Sequence, residues 1–136
     1  MQESIRVSQK AKEQMIWLKR QTGVQQWNVL CRWALCLSLA DSATVEGVDD
    51  SADSNIDIRW DNFAGGYKDI YAALLMERAR CEGLQLESKV LARYARQHIH
   101  RGLGKLSVTG AMGNIADLVR IGVHASSLNC ESTDAV

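Results

Sequence analysis

The chain has 136 residues, 46% of them hydrophobic, with no proline, one phenylalanine and a formal net charge of zero. That length suits one domain with a real core, the composition favours helix, and no run of about 18 apolar residues exists to span a membrane. The polar N-terminus lacks the apolar stretch of an export signal, and the four cysteines at 31, 36, 81 and 130 form no CxxC pair, so the expectation is a cytoplasmic globular protein with reduced thiols.

In chain order, a short extended piece, Ile5-Arg6-Val7, leads into Ser8, a good helix N-cap. The first helix is expected over about 9–22, where Ala11, Met15, Leu18 and Thr22 recur at helical spacing and form its core face. Lys12 and Lys19 fall on one flank of that stripe, with Lys10, Trp17 and Arg20 on the other side. Gly23 supplies the left-handed stop. The second helix, about 26–40, carries Trp27, Leu30, Cys31, Ala34, Leu35, Leu37 and Ser38 on one broad face. Its opposite face, with Val29, Trp33 and Cys36, is apolar as well. A helix that is apolar all round is buried on every side, and in so small a domain the simplest source of the missing cover is another subunit.

Residues 41–55 are acidic, rich in Ser and Asp and aperiodic, which predicts an exposed loop. Ile56, Ile58 and Trp60 alternate with polar residues as a short strand-like piece. Gly65-Gly66 precedes a third helix, about 67–82, with Ile70, Ala73 and Leu74 as its apolar stripe, Met76 at the side and Gly83 as its stop. A fourth, about 88–101, places Val90, Leu91, Tyr94, Ala95, His98 and Ile99 inward and Lys89, Arg93, Arg96 and Arg101 outward, with Gly102 and Gly104 ending it. A short fifth is expected at about 114–121. The reading is a mostly α, single-domain helical bundle with a ribbon-helix-helix-like start, homo-oligomeric, over residues 1–121, followed by a flexible tail at 122–136.

The neutral total conceals segregated charge. Residues 1–40 hold six Lys/Arg against two acids, for +4; residues 41–62 hold seven acids against Arg59, for −6; residues 63–106 hold eight bases against four acids, again +4. Local potential within a Debye length, rather than the sum, is what a duplex meets. A basic helix face is most often merely solvated. Clustering on the first helix, an acidic loop separable from it in space, and multiplication in an oligomer raise the case for phosphate binding. Lys10, Lys12, Lys19 and Arg20 are the expected phosphate contacts, with Arg6 and Lys68 as weaker candidates. Trp17 could stack on a base exposed at a strand break, or sit in a subunit contact. Trp27, Trp33 and Leu37 are the expected oligomer anchors.

Catalytic patterns are missing. Residues 55–61 lack the spacing of a calcium loop. His98 and His100, two apart on a helix, point to different faces and do not chelate together. Gly65-Gly66 lacks the remainder of a phosphate loop. Cys31 and Cys36 differ by about 140° around a helix, and both are expected to be buried, where a thiol is a poor nucleophile. No cofactor, metal or enzymatic activity is expected.

The stretch SIRVSQKAKEQMIWLKRQTG with WNVLCRWALCLSLA, then Ser54-Asn55, Ile58-Arg59-Trp60, Phe63-Ala64-Gly65-Gly66-Tyr67-Lys68-Asp69-Ile70-Tyr71 and His98-Ile99-His100-Arg101-Gly102-Leu103-Gly104, resembles the DndE family of bacterial DNA phosphorothioation systems. The likeness runs in order over about 4–121. It implies a non-catalytic, tetramer-forming accessory protein that binds duplex DNA, preferentially nicked, alongside a cysteine desulfurase, an adenylating sulfurtransferase and an ATPase. Two alternatives stand beside it: a ribbon-helix-helix repressor reading bases with paired strands, and an assembly scaffold that touches only proteins.

Overall fold

The computed structural model describes residues 4–108, the side chains of Ala64 and Val108 excepted. The elements are β1 (Ser4–Arg6), α1 (Gln9–Thr22), α2 (Trp27–Leu39), β2 (Asp57–Arg59), α3 (Trp60–Ala64), a 3-10 turn (Gly65–Tyr67), α4 (Lys68–Cys81) and α5 (Ser88–Val108). The helix expected at 114–121, and the boundary drawn at 121, lie outside the described residues.

Local chemistry sets the first helix. Ser8 adopts an extended conformation and its hydroxyl accepts from the Ala11 amide at 3.0 Å, while Gly23 closes the helix at φ 78° and sends its own amide to Lys19 O. Ala11, Met15, Leu18 and Thr22 are all buried, as their spacing requires. On α2 the buried face is Leu30, Cys31, Ala34, Leu35 and Ser38. These two faces close on α5, whose Leu91, Ala95, Ile99, Leu103 and Leu106 complete the central core with Phe63 and Leu75.

Three expectations are corrected. First, α5 does not stop at Gly102 or Gly104 but runs on to Val108. Gly102 lies where α5 meets the backbone of Ala34 so closely that a Cβ there would stand 1.8 Å from its carbonyl oxygen; the glycine serves a helix crossing rather than a helix end. Second, the stripe assigned to the core on α4 faces outward: Ile70 and Leu74 are 56% and 50% exposed, Ala73 and Met76 are exposed too, and Leu75 and Ala79 turn inward. Third, residues 60–64 form a short helix that the alternating pattern around Trp60 did not suggest.

β1 and β2 pair antiparallel, with Ser4 opposite Arg59, Ile5 opposite Ile58 and Arg6 opposite Asp57. Alternation buries Ile5 and Ile58 on one face and leaves Ser4, Arg6, Asp57 and Arg59 on the other. The acidic loop is exposed over most of its length, yet Val45 and Ser54 are buried within it. Among the described residues no helix is long and apolar enough to cross a membrane.

Candidate nucleic-acid interface

The cations of α1 do not form a single face. Lys12 lends its ammonium to Asn55 Oδ1 at 2.7 Å. Lys19 sits over the ring of Trp27, 4.1 Å from its centroid, a cation–π contact that joins the end of α1 to the start of α2. Lys10, on the opposite flank, rims a cleft of about 160 Å³ with Ser8, Gln14, Asp49 and His100. Neither Lys10 nor the exposed Arg20 has a hydrogen bond or ion pair among the described residues. The two weaker candidates are both paired: Arg6 with Asp57 at 3.0 Å and Lys68 with Asp61 at 3.4 Å. Trp17 is half-buried against the core.

The acidic loop is not separable from the basic elements; it is tied down on them. The Gln9 amide, in the first turn of α1, donates to Asp53 Oδ1 at 2.8 Å. Ser54 Oγ donates to Val7 O at 2.6 Å, and the Val7 amide reaches Ile56 O. Arg96 and Arg101, expected outward, instead fold over this loop. Arg96 donates to Arg6 O and Asp50 O, and Arg101 to the carbonyls of Ser38, Ala43 and Thr44. A guanidinium carries donors enough to satisfy several loop carbonyls at once, which is why these arginines act as braces. Arg59, an exposed cation outside the expected contacts, shares the outer ribbon face with Arg6; its alternation with Asp57 was the available signal.

Both helix histidines are buried and serve the frame. His100 Nε2 accepts the Ser8 amide at 3.1 Å, so the ring proton lies on Nδ1 and is donated to Asp49 O at 2.7 Å. Burial holds this imidazole below its ordinary pKa. His98 Nδ1 lies 2.8 Å from Ser38 Oγ, which already accepts from Arg101 Nε. The arrangement that uses the Ser38 proton puts the imidazole proton on Nε2, a buried atom without a hydrogen-bond partner among the described residues. Burial and the neighbouring arginines push His98 down to about 4.

The thiols divide. Cys31 is buried and desolvation pushes it up to about 12. Cys36 is exposed rather than buried, a correction that follows from α2 turning its Cys36 side away from α5. Desolvation still raises its thiol, opposed by the Tyr71 hydroxyl and Arg32. Trp33 and Leu37 of α2 are half-buried, while Ile70 and Leu74 of α4 and Tyr67 of the preceding 3-10 turn are exposed. Trp27 belongs to a different place, at the α1–α2 junction under Lys19. Among the described residues, no group of three or more His, Cys, Asp or Glu side chains is placed to hold a metal ion.

The family model described as DNA sulphur modification protein DndE matches residues 4–113. The chain belongs to the DndE family. Its fold is that of a solved member: the crystal structure of DndE from Escherichia coli B7A, a protein involved in DNA phosphorothioation modification, is similar with a TM-score of 0.67 at 20% identity. That likeness covers 78% of this chain and 97% of the other. No curated protein matches the chain. Membership of the DndE family assigns the chain to DNA sulphur modification. The strand pairing differs from that of a ribbon-helix-helix regulator. In such regulators β1 joins the β1 of a second subunit to enter the major groove; here β1 is taken up by β2 of its own chain.

Proposed function

We propose that this DndE-family chain is a DNA-binding accessory component of the phosphorothioation machinery. It acts as a homo-tetramer that holds duplex DNA, preferentially at a nick, while partner enzymes deliver sulfur. The observation that carries the reading is the family match across residues 4–113. The geometry adds two supports. Arg20 is an exposed cation without an ion-pair partner among the described residues, Lys10 is exposed on the rim of the cleft it shares with Asp49, and Lys12 and Lys19 are held only by a neutral amide and an indole. Such cations serve for sequence-independent contact with phosphates. The exposed Ile70 and Leu74 of α4, with half-buried Trp33 and Leu37 of α2, suit a subunit interface.

The chemistry of sulfur transfer is assigned to the partners: the cysteine desulfurase, the adenylating sulfurtransferase and the ATPase. Cys31 is too deeply desolvated to be a thiolate near neutral pH. The role left to this chain is positioning. The test is a salt titration of duplex binding for the native chain and for the variant with Lys10, Lys12, Lys19 and Arg20 all changed to Ala. The native chain should bind with a steep dependence on salt. The variant should lose binding while retaining its fold and oligomer size. Equal binding by both would contradict the assignment of these residues.

A further inference from the structure

The groups that hold β1 and the start of α1 in place are the groups a phosphate would offer. Asp57 clasps Arg6 through both oxygens, with Nε to Oδ1 and Nη2 to Oδ2 each at 3.0 Å. This is the fork-to-fork geometry by which arginine also takes phosphate. Asp53 places Oδ1 at 2.8 Å from the Gln9 amide, the position where the first turn of a helix receives an anion. Between them, Asn55 accepts from Lys12 at 2.7 Å. Three alternate residues of one segment therefore occupy two cations and a helix N-terminus.

The backbone of this segment is fixed by buried bonds. Ser54 Oγ and its amide both reach Val7 O, and Val7 returns its own amide to Ile56 O. The charged tips, by contrast, are open: the side chains of Arg6 and Asp57 are 51% and 46% exposed. Exposed pairs of this kind contribute little to stability, so they can exchange partners at small cost.

We propose that residues 53–57 form an internal phosphate mimic that competes with DNA for Arg6, Lys12 and the N-terminus of α1. The proposal rests on the DNA-binding reading above. DNA arriving at this edge replaces Asp57 on Arg6 and Asp53 at Gln9, so the strap lowers both affinity and the number of phosphates engaged. Weak exposed contacts on a fixed backbone allow this exchange without unfolding the ribbon.

The test compares two variants of equal net charge in the full chain, using a short fluorescent duplex of arbitrary sequence. One is Asp53→Asn with Asp57→Asn. The other, a control, is Asp69→Asn with Glu87→Gln, two exposed acids outside the strap. If the strap competes, its variant binds several-fold more tightly than the control at the same salt. Its plot of log affinity against log salt also steepens by about 0.9 for each cation released to a phosphate. Arg6→Ala should remove that gain in the Asp57→Asn background and change little in the native chain. Equal tightening in both variants with an unchanged slope overturns the proposal and leaves DNA binding standing. No binding by the native chain or by any folded variant overturns the DNA-binding reading and the mimic with it. Should the double variant not fold, the single Asp57→Asn change, on a half-exposed pair, decides by the same slope.

Discussion

Gly102→Ala and Gly104→Ala should move stability in opposite directions. Both glycines sit inside α5, two residues apart, and both look like helix stops in sequence. An added Cβ at 102 would stand 1.8 Å from the Ala34 oxygen and 2.3 Å from its carbonyl carbon. Reaching an ordinary contact of 3.4 Å would force α5 away from α2 by about 1.6 Å. That opens the packing of Ile99, Leu103 and Leu106, all fully buried. Overpacking typically costs about 1–3 kcal/mol, and a clash with backbone at the main helix crossing belongs at the upper end. Up to about 1 kcal/mol of it is offset by alanine's better helix propensity. At roughly 4 °C per kcal/mol for a chain of this size, Gly102→Ala should lower Tm by about 8 °C. An added Cβ at 104 meets nothing within 4 Å, so Gly104→Ala should gain up to about 1 kcal/mol and raise Tm by a few degrees. Thermal melts followed by circular dichroism measure both. Equal shifts for the two variants would refute the close crossing of α5 on α2.

Acid should destabilise the fold before its carboxylates are protonated. His98 is held at about 4 against an ordinary 6.5, so its contribution is complete above pH 6.5 and is lost as pH falls toward 4. At about 1.4 kcal/mol per pH unit that is up to about 3 kcal/mol, and denaturant melts of His98→Gln should lose most of this dependence. His100 acts in the same direction, because a protonated ring could not accept the Ser8 amide. Trp33→Asp, or Ile70→Asp with Leu74→Asp, should reduce the mass seen by light scattering to that of a monomer; an unchanged mass would remove this strip from the interface. Cys36→Ser and Cys81→Ser should leave DNA affinity nearly unchanged, whereas a large loss would bring these thiols into the mechanism.

How much of this was legible depended on whether the signal was local. Ser8, Gly23 and the spacing of Ala11, Met15, Leu18 and Thr22 define α1 without reference to the rest of the chain. Gly102 was misread because a glycine that admits a neighbouring helix looks the same in sequence as one that ends its own. On α4 both faces are apolar. Periodicity could not choose Leu75 and Ala79 over Ile70 and Leu74, and the choice is made by where α5 lies. The charged residues were the least legible. Arg96 and Arg101 read as solvated, yet loop carbonyls 46 and 58 residues away hold them. The acidic run read as an exposed loop separable from the first helix, yet it is bonded to β1 and α1. Of the six proposed phosphate contacts, Arg20 stands clear of such partners, while Lys10 faces Asp49 across its cleft, and this follows from tertiary placement rather than from composition.

The most direct measurement is a competition between nicked and intact duplexes of the same sequence for the native chain, at several salt concentrations near physiological strength. The account predicts that nicked duplex displaces intact duplex at every salt concentration. Changing the sequence around the nick should matter little, and both affinities should fall steeply as salt rises. Equal affinity for the two duplexes would contradict the nick-holding role. A strong preference for one intact sequence, or no binding to either duplex, would contradict the account at its centre.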